Sequence, residues 1–140
     1  MKEHLLDINK LSIIKNAYAK FIPSKTKNEE FLSSYAIFLE AINENHFHSQ
    51  QELSSFIGCN KAHTSRTLLK MKLGGFIKIL PPPNDGIELT KKGKDFLSEF
   101  LSIKQQFTNI LWKDIGEKDV EQFIKTFDKI CENAKNLNQN

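Results

Sequence analysis

Three positive side chains lie close together near the middle of this chain: Lys61, Arg66 and Lys70. The guanidinium of Arg66 is a planar fork that can hold a guanine edge or a phosphate through two parallel hydrogen bonds. The lysines carry compact charges on flexible stems, which suit contacts to phosphate oxygens. These side chains predict chemistry directed at a nucleic-acid duplex rather than at a reacting bond.

Smaller groups beside these charges extend the same interpretation. His63 and Ser65 can hydrogen-bond to a base edge, and Ala62 can touch a thymine methyl group. Ser49 and Gln50 stand at a predicted helix start, where exposed backbone amides favour a phosphate. The plain alternative is a solvated helix surface, because such surfaces usually carry charge. The elements around these residues favour the duplex.

Two short helices must position these side chains. The segment Ser49–Glu52 is a capping box, in which Ser49 accepts a hydrogen bond from the Glu52 amide and Glu52 reaches back. Leu53, Phe56 and Ile57 are predicted to face inward. Gly58 suits the left-handed conformation that ends a helix. The sequence then predicts a second helix, capped by Asn60 and running to about Leu73, with Thr64, Leu68 and Met71 on its inner side.

A hairpin follows these helices. We predict a strand over residues 76–80, a turn over 81–86 rich in turn-forming residues, and a returning strand over 87–89. Thr90 is predicted to cap the next helix. Helix, turn, helix and hairpin in this order indicate a winged helix-turn-helix, in which the hairpin is the wing. Lys78 and Asn84 are its candidate DNA contacts.

Helices flank this core on both sides, which makes the predicted fold mainly α. The spacing of apolar residues predicts helices over 5–22, ended by Pro23, and over 29–45, 91–114 and 118–137. The last of these has a heptad pattern of apolar positions, formed by Val120, Phe123, Phe127, Ile130, Ala134 and Leu137. Such a seam favours association with another helix.

Charge is unevenly distributed. The formal net charge is only +3, yet residues 61–94 hold eight lysines and arginines against two acids. The remainder of the chain is slightly acidic, so the positive charge is concentrated where the duplex is expected.

Several function classes find no support. The chain has no apolar run long enough for a bilayer and no CxxC pair, and we expect a cytoplasmic protein without a membrane partner. It has no glycine-rich phosphate loop, nucleophile elbow or HExxH, and we predict no enzyme, no catalytic residue and no cofactor. His46 and His48 are close in sequence, but no second cluster stands at ligand spacing, so we predict no metal site.

Local motifs from Ser49 to Gly93 resemble those of the MarR family of bacterial transcription regulators. The resemblance lies in the capped Glu52-Leu53 helix, in Thr64-Ser65-Arg66, in Gly75-Phe76-Ile77 at the start of the wing, and in Leu89-Thr90-x-x-Gly93 at its end. The two helices before this core and the two after it agree with the family, so the resemblance covers nearly the whole chain.

The resemblance implies one domain over 1–140 that acts as a homodimeric repressor or activator. Residues 29–93 would form the winged helix-turn-helix DNA-binding lobe, and 1–28 with 94–140 would form a lobe of dimerisation helices. Two such lobes would bind double-stranded DNA at a pseudo-palindromic operator. The segment Lys61–Arg66 would enter the major groove, and the wing would approach the minor groove. Trp112, Phe107 and Tyr18 are aromatic residues that could line a small-molecule effector pocket between the lobes, but aromatic residues at helical spacing more often belong simply to the core.

The wing departs from the family pattern. It is several residues shorter, and no arginine follows Arg66, so the arginine that such wings insert into the minor groove is missing. An alternative is therefore a winged-helix module that binds a protein and has weakened or lost operator recognition.

Overall fold

The computed structural model describes residues 3–26, 33–83 and 85–137. Within these ranges six helices and one antiparallel hairpin follow one another: α1 (Asn9–Ser24), α2 (Ser33–Glu44), α3 (Gln50–Ile57), α4 (Lys61–Leu73), β1 (Ile77–Leu80), β2 (Gly86–Leu89), α5 (Lys91–Leu111) and α6 (Glu117–Leu137). The predicted mainly α class with a small β-hairpin wing is confirmed. None of the helices in the described ranges has the length and apolar character that crossing a membrane requires.

The chain divides into two compact units, Met1–Phe107 and Thr108–Asn140. In the first unit, α2 is the most buried helix, as its wide apolar arc predicts. Ala36 and Leu39 are fully buried, Phe38 is nearly so, and the helix packs against α3 and β2. The part of the predicted helix before Ser33, including Phe31 and Leu32, lies outside the described residues.

The second unit contains the end of α5 and all of α6. The ring of Trp112 meets Phe123 edge-on with centroids 5.9 Å apart, and Phe123 stacks on Phe127 at 5.5 Å. No residue of α6 is buried. The apolar heptad positions of α6 therefore remain accessible on this chain.

The prediction that Pro23 ends the first helix is wrong, because α1 continues to Ser24 with the proline inside it. Ile22, which precedes the proline, is fully buried in the core. Its burial outweighs the local preference against helical angles before proline. The helix begins at Asn9 rather than at the predicted Leu5. At this start the Asn9 amide donates to Asp7 Oδ1 at 3.0 Å.

Two other local expectations also differ from the structure. The helix α5 ends at Leu111 instead of continuing to Asp114, whose φ of +62° is left-handed and incompatible with a helix. In α3, Leu53 is fully buried as predicted, but Phe56 is half exposed rather than inward-facing. Its ring meets Phe47 edge-on at 5.4 Å, so it rests on the rim of the core.

Candidate nucleic-acid interface

The predicted caps set the positions of α3 and α4. Ser49 Oγ accepts a hydrogen bond from the Glu52 amide at 3.2 Å, and the Glu52 carboxylate accepts from the His48 amide at 2.8 Å. Gly58 ends α3 with φ +83°, a conformation that costs glycine little. Asn60 Oδ1 accepts from the His63 amide at 2.8 Å and so sets the first turn of α4.

The residues predicted for the inner side of α4, Thr64, Leu68 and Met71, are buried. The Thr64 hydroxyl, which could not be left unpaired there, donates to the Asn60 carbonyl at 3.0 Å. All six candidate residues on α4 are exposed: Lys61, Ala62, His63, Ser65, Arg66 and Lys70. The fold therefore brings them together on the solvent side of one helix.

Positive charge on α4 is not neutralised by the protein. The helix contains no acidic residue, and Arg66 is the only arginine of the chain. Within the part of the chain that the structure describes, Lys61, Arg66 and Lys70 form no ion pair or hydrogen bond through their side chains. These groups are exposed to solvent and therefore able to meet an anionic partner.

Two basic residues at the wing and at the start of α5 are engaged within the protein. Lys78 in β1 forms an ion pair with Glu88 of β2, with Nζ and Oε2 3.5 Å apart. Lys92 Nζ donates to the Gly74 carbonyl at 2.8 Å and stands 4.6 Å from the centre of the Phe76 ring. The pairing of Lys78 reduces the net positive charge that the wing can offer.

His63 differs from its neighbours on α4. Its ring lies 6.0 Å from that of Phe38 in α2, centroid to centroid. This contact places one side of the imidazole against the lobe, although the residue as a whole is exposed.

The start of α3 and the wing line one open cleft of about 240 Å³. Ser49, Gln50 and Asp85 are among the residues that line it. The Asp85 carboxylate opposes any anion that approaches the amides of α3, which weakens the case for a phosphate there. Asn84, the other wing candidate, lies outside the described residues.

The Leu89-Thr90-x-x-Gly93 motif fixes the wing to α5. The Thr90 amide donates to the Phe76 carbonyl at 3.0 Å, its hydroxyl donates to the Gly75 carbonyl, and the Gly93 amide donates to Thr90 Oγ1 at 3.1 Å. A Cβ at Gly93 would overlap the Phe76 carbonyl oxygen, so only glycine permits this close approach. In the hairpin, Ile77 pairs with Leu89 at one end and Leu80 pairs with Gly86 at the other.

The histidines before α3 form a pair. The rings of His46 and His48 meet edge-on, 4.5 Å apart between centroids. Among the described residues, no three ligating side chains converge in a way that could hold a metal ion.

Two exposed leucines on α4 are not among the residues predicted from the sequence. Leu69 is 57% exposed and Leu73 is 78% exposed. Their spacing of three and seven residues from Arg66 could have located them, since helix periodicity places these positions on one side. They belong to the same surface as the candidate residues.

Comparison with known proteins relates this chain to regulators. No family model matches the chain. Over 92 residues it is 27% identical to the HTH-type transcriptional regulator BilQ of Clostridioides difficile (strain CD3). That match covers 63% of this chain and 62% of BilQ, so it spans less than two thirds of the relative's length.

Solved structures establish the fold. A MarR transcriptional regulator from Methanosarcina mazei superposes with a TM-score of 0.80 at 19% identity, covering 95% of this chain and 94% of that one. A MarR-family regulator from Listeria monocytogenes, solved with a 26mer DNA, also gives a TM-score of 0.80 at 14% identity, covering 97% and 91%. The resemblance predicted from the motifs is confirmed at the level of the fold: the chain has the MarR winged-helix architecture.

Proposed function

We propose that this chain, which has the MarR fold, is a transcriptional regulator that binds a pseudo-palindromic operator in double-stranded DNA as a homodimer. The observation that carries the proposal is the exposed, uncompensated positive side of α4. It belongs to the second helix of a helix-turn-helix, the element that enters the major groove in such folds. The structural relative from Listeria monocytogenes, solved with DNA, supports the same partner.

The residues of α4 would divide the work of binding. Lys61 and Lys70 would contact phosphates, which provide affinity without sequence preference. Arg66 and Ser65 would read base edges, and Arg66 would pair with guanine through both arms of its guanidinium. Because the Lys78 charge is compensated by Glu88, α4 would supply most of the binding energy.

Dimerisation would occur through the terminal helices. On α6, the large apolar side chains Phe123, Ile124, Phe127 and Ile130 are between 37% and 51% exposed. On the first unit, Leu5, Ile8 and Ile13 are at least 61% exposed. A second copy that covered these side chains would remove unfavourable apolar surface from water. The resulting two-fold axis would set two α4 helices about one DNA turn, roughly 34 Å, apart.

An effector would act on that separation. A small molecule that binds the dimer would favour one spacing of the α4 helices over the other. Differential binding worth a few kcal/mol is enough to switch occupancy of an operator.

Selection of bound duplexes from a random pool tests this function. We expect the protein to enrich an inverted repeat with half-sites about one helical turn apart. Arg66→Ala should weaken binding to the selected duplex by about 10-fold to 100-fold per half-site, the usual range for a bidentate base contact. Lys125→Ala, on a helix with no proposed DNA contact, is the control and should change it little. A pool with no enrichment, or an Arg66→Ala variant that binds as well as the original, would contradict the proposal.

A protein-binding module is the second candidate, because the short wing lacks an arginine and its Lys78 is paired. The salt dependence of DNA binding distinguishes an operator-binding regulator from a protein-binding module. An operator-binding protein loses affinity with a logarithmic slope near −0.9 for each phosphate it neutralises. A module without operator recognition would enrich no sequence and show only weak, sequence-independent binding.

A further inference from the structure

We infer that Leu69 is a specificity residue that contacts the 5-methyl group of a thymine in the major groove. This inference rests on the proposed function and adds to it the kind of base pair the operator must contain. The observation behind it is an apolar ridge on the outermost line of α4.

Helix periodicity defines this ridge. At about 100° per residue, Ala62, Arg66, Leu69 and Leu73 lie within about 60° of one another. The buried positions Thr64, Thr67, Leu68 and Met71 lie on the opposite side. The line of α4 that projects farthest from the core is therefore apolar apart from Arg66, and the other basic residues flank it.

Leucine on that line needs an explanation. Leu69 is 57% exposed although the lobe has a well-filled core beneath it. Polar residues would keep this surface soluble at no cost in water. An apolar side chain flanked by Arg66 and Lys70 fits a partner that is anionic at its edges and apolar at its centre. The major groove is such a partner, because phosphates line both sides and the thymine methyl is the apolar group on its floor.

Dimensions of the helix and the duplex agree with this placement. Leu69 stands two turns after Ala62, about 10 Å farther along the helix axis. Base pairs are spaced by about 3.4 Å, so a helix lying along the groove would place the two side chains about three base pairs apart. Arg66, between them, would reach the intervening pairs. We expect each half-site to carry A·T pairs separated by about this distance.

Deoxyuridine scanning tests the inference on the intact protein. Deoxyuridine pairs as thymidine does but lacks the 5-methyl group. In the selected duplex, each thymidine is replaced in turn, at equivalent positions of both half-sites. Burial of one methyl group corresponds to roughly a fourfold change in affinity, so the paired replacement should weaken binding by about fifteenfold.

Variants of Leu69 assign that effect to one side chain. Leu69→Ala should abolish the penalty at one thymine and leave the others unchanged, while Leu69→Met, which keeps the apolar reach, should retain most of it. Ile37→Ala is a matched control, because Ile37 is 56% exposed but lies on α2, and it should keep the original pattern. Circular dichroism would verify that the variants are folded.

The outcomes separate the two proposals. A selected duplex that tolerates deoxyuridine at every position would overturn the role of Leu69 while leaving operator binding intact. A loss of affinity on deoxyuridine replacement that is as large in Leu69→Ala as in the unaltered protein would also overturn the role of Leu69. Failure to select any duplex would remove the proposed function and this inference together, and would favour a protein as the occupant of the ridge.

Discussion

The helices α4 and α6 leave different kinds of surface without a partner. In α4 the apolar residues Leu68 and Met71 are buried, and charged side chains cover much of the exposed side. In α6 the apolar residues themselves are accessible, with Phe123 51% and Leu137 77% exposed. On α4, basic side chains stand beside two exposed leucines, Leu69 and Leu73, whereas the exposed large side chains along α6 include a run of apolar ones.

This difference separates a reversible interaction from a constitutive one. The basic side chains of α4 keep its surface hydrated despite the two exposed leucines, so α4 can remain free until an anionic partner arrives. An apolar surface is unfavourable in water at about 25 cal/mol per Å², so covering the exposed side chains of α6 would be favourable with or without DNA. The comparison predicts a dimer that persists with or without DNA, and DNA binding that salt can reverse.

Phe127→Glu tests the α6 side of the comparison and has the largest expected effect. It places a carboxylate in the middle of the apolar seam of each copy, where an unpaired buried charge costs about 4 kcal/mol, so even one of the two carboxylates should make the dimer dissociate roughly 1,000-fold more readily. Sedimentation velocity over a range of concentrations measures this. Lys125→Glu, on the opposite side of the helix, is the control. Equal sedimentation of Phe127→Glu and the unaltered chain would mean that α6 is not the interface.

Gly93→Ala tests the first unit, where packing is internal. The new Cβ would collide with the Phe76 carbonyl oxygen at the junction of the wing and α5. Relieving this overlap should lower the free energy of unfolding by about 3 kcal/mol. Urea denaturation followed by circular dichroism measures it. Unlike the effect of Phe127→Glu, this loss should not depend on protein concentration.

Gly116→Ala is the matched control for that experiment, because the nearest atom to its new Cβ is Asp119 Oδ2 at 3.8 Å, an ordinary contact. Similar urea midpoints for the two glycine variants would show that the close approach at Gly93 is not needed.

Lys70→Gln and Lys78→Gln compare an uncompensated charge with a compensated one. Loss of a phosphate contact by Lys70 should reduce the salt slope by about 0.9 per half-site and weaken binding roughly eightfold per half-site at 0.1 M salt. Lys78→Gln should do less, because Glu88 already offsets that charge at 3.5 Å. Fluorescence anisotropy at several salt concentrations measures both. A larger effect at Lys78 would move the main DNA contact from α4 to the wing.

The smallest expected effect is that of Tyr18→Phe on the pH dependence of stability. Burial of Tyr18, with a further contribution from the nearby Glu40 carboxylate, raises its pKa from 10.0 to about 12. The folded state therefore holds this proton more tightly than the unfolded state. The associated stability is present below pH 10 and is lost as the pH rises towards 12.

Tyr18→Phe should accordingly flatten the fall in stability between pH 10 and 12, and remove an absorbance transition near pH 12 at 295 nm. Solvent screening keeps the effect small, because Tyr18 is only partly buried. An unchanged absorbance titration in Tyr18→Phe would contradict the assignment.

Local chemistry was predictable wherever a residue acts on its immediate neighbours. The caps at Ser49, Asn60 and Thr90 and the left-handed Gly58 occur where the sequence indicates, because each depends on hydrogen bonds or angles within a few residues. Pro23 was not predictable in this way. Its effect on the helix was overruled by the burial of Ile22, which depends on the assembled core.

The candidate interface was predictable in position but not in detail. Helical spacing alone placed Arg66 and Lys70 on one exposed side. Which charges remain available depends on cross-strand and inter-element contacts, such as that between Lys78 and Glu88. The exposure of Leu69 likewise depends on how α4 is rotated in the lobe.

The amino-acid sequence by itself determined the order of helices and strands, their caps, the winged arrangement and the accumulation of charge on the fourth helix, because these follow from periodicity and short-range hydrogen bonding. Only the tertiary structure decided which basic groups stay uncompensated, which leucines reach solvent and which apolar side chains of α6 remain uncovered. These properties depend on atoms brought together from distant parts of the chain, and burial and pairing energies arise only once those atoms meet.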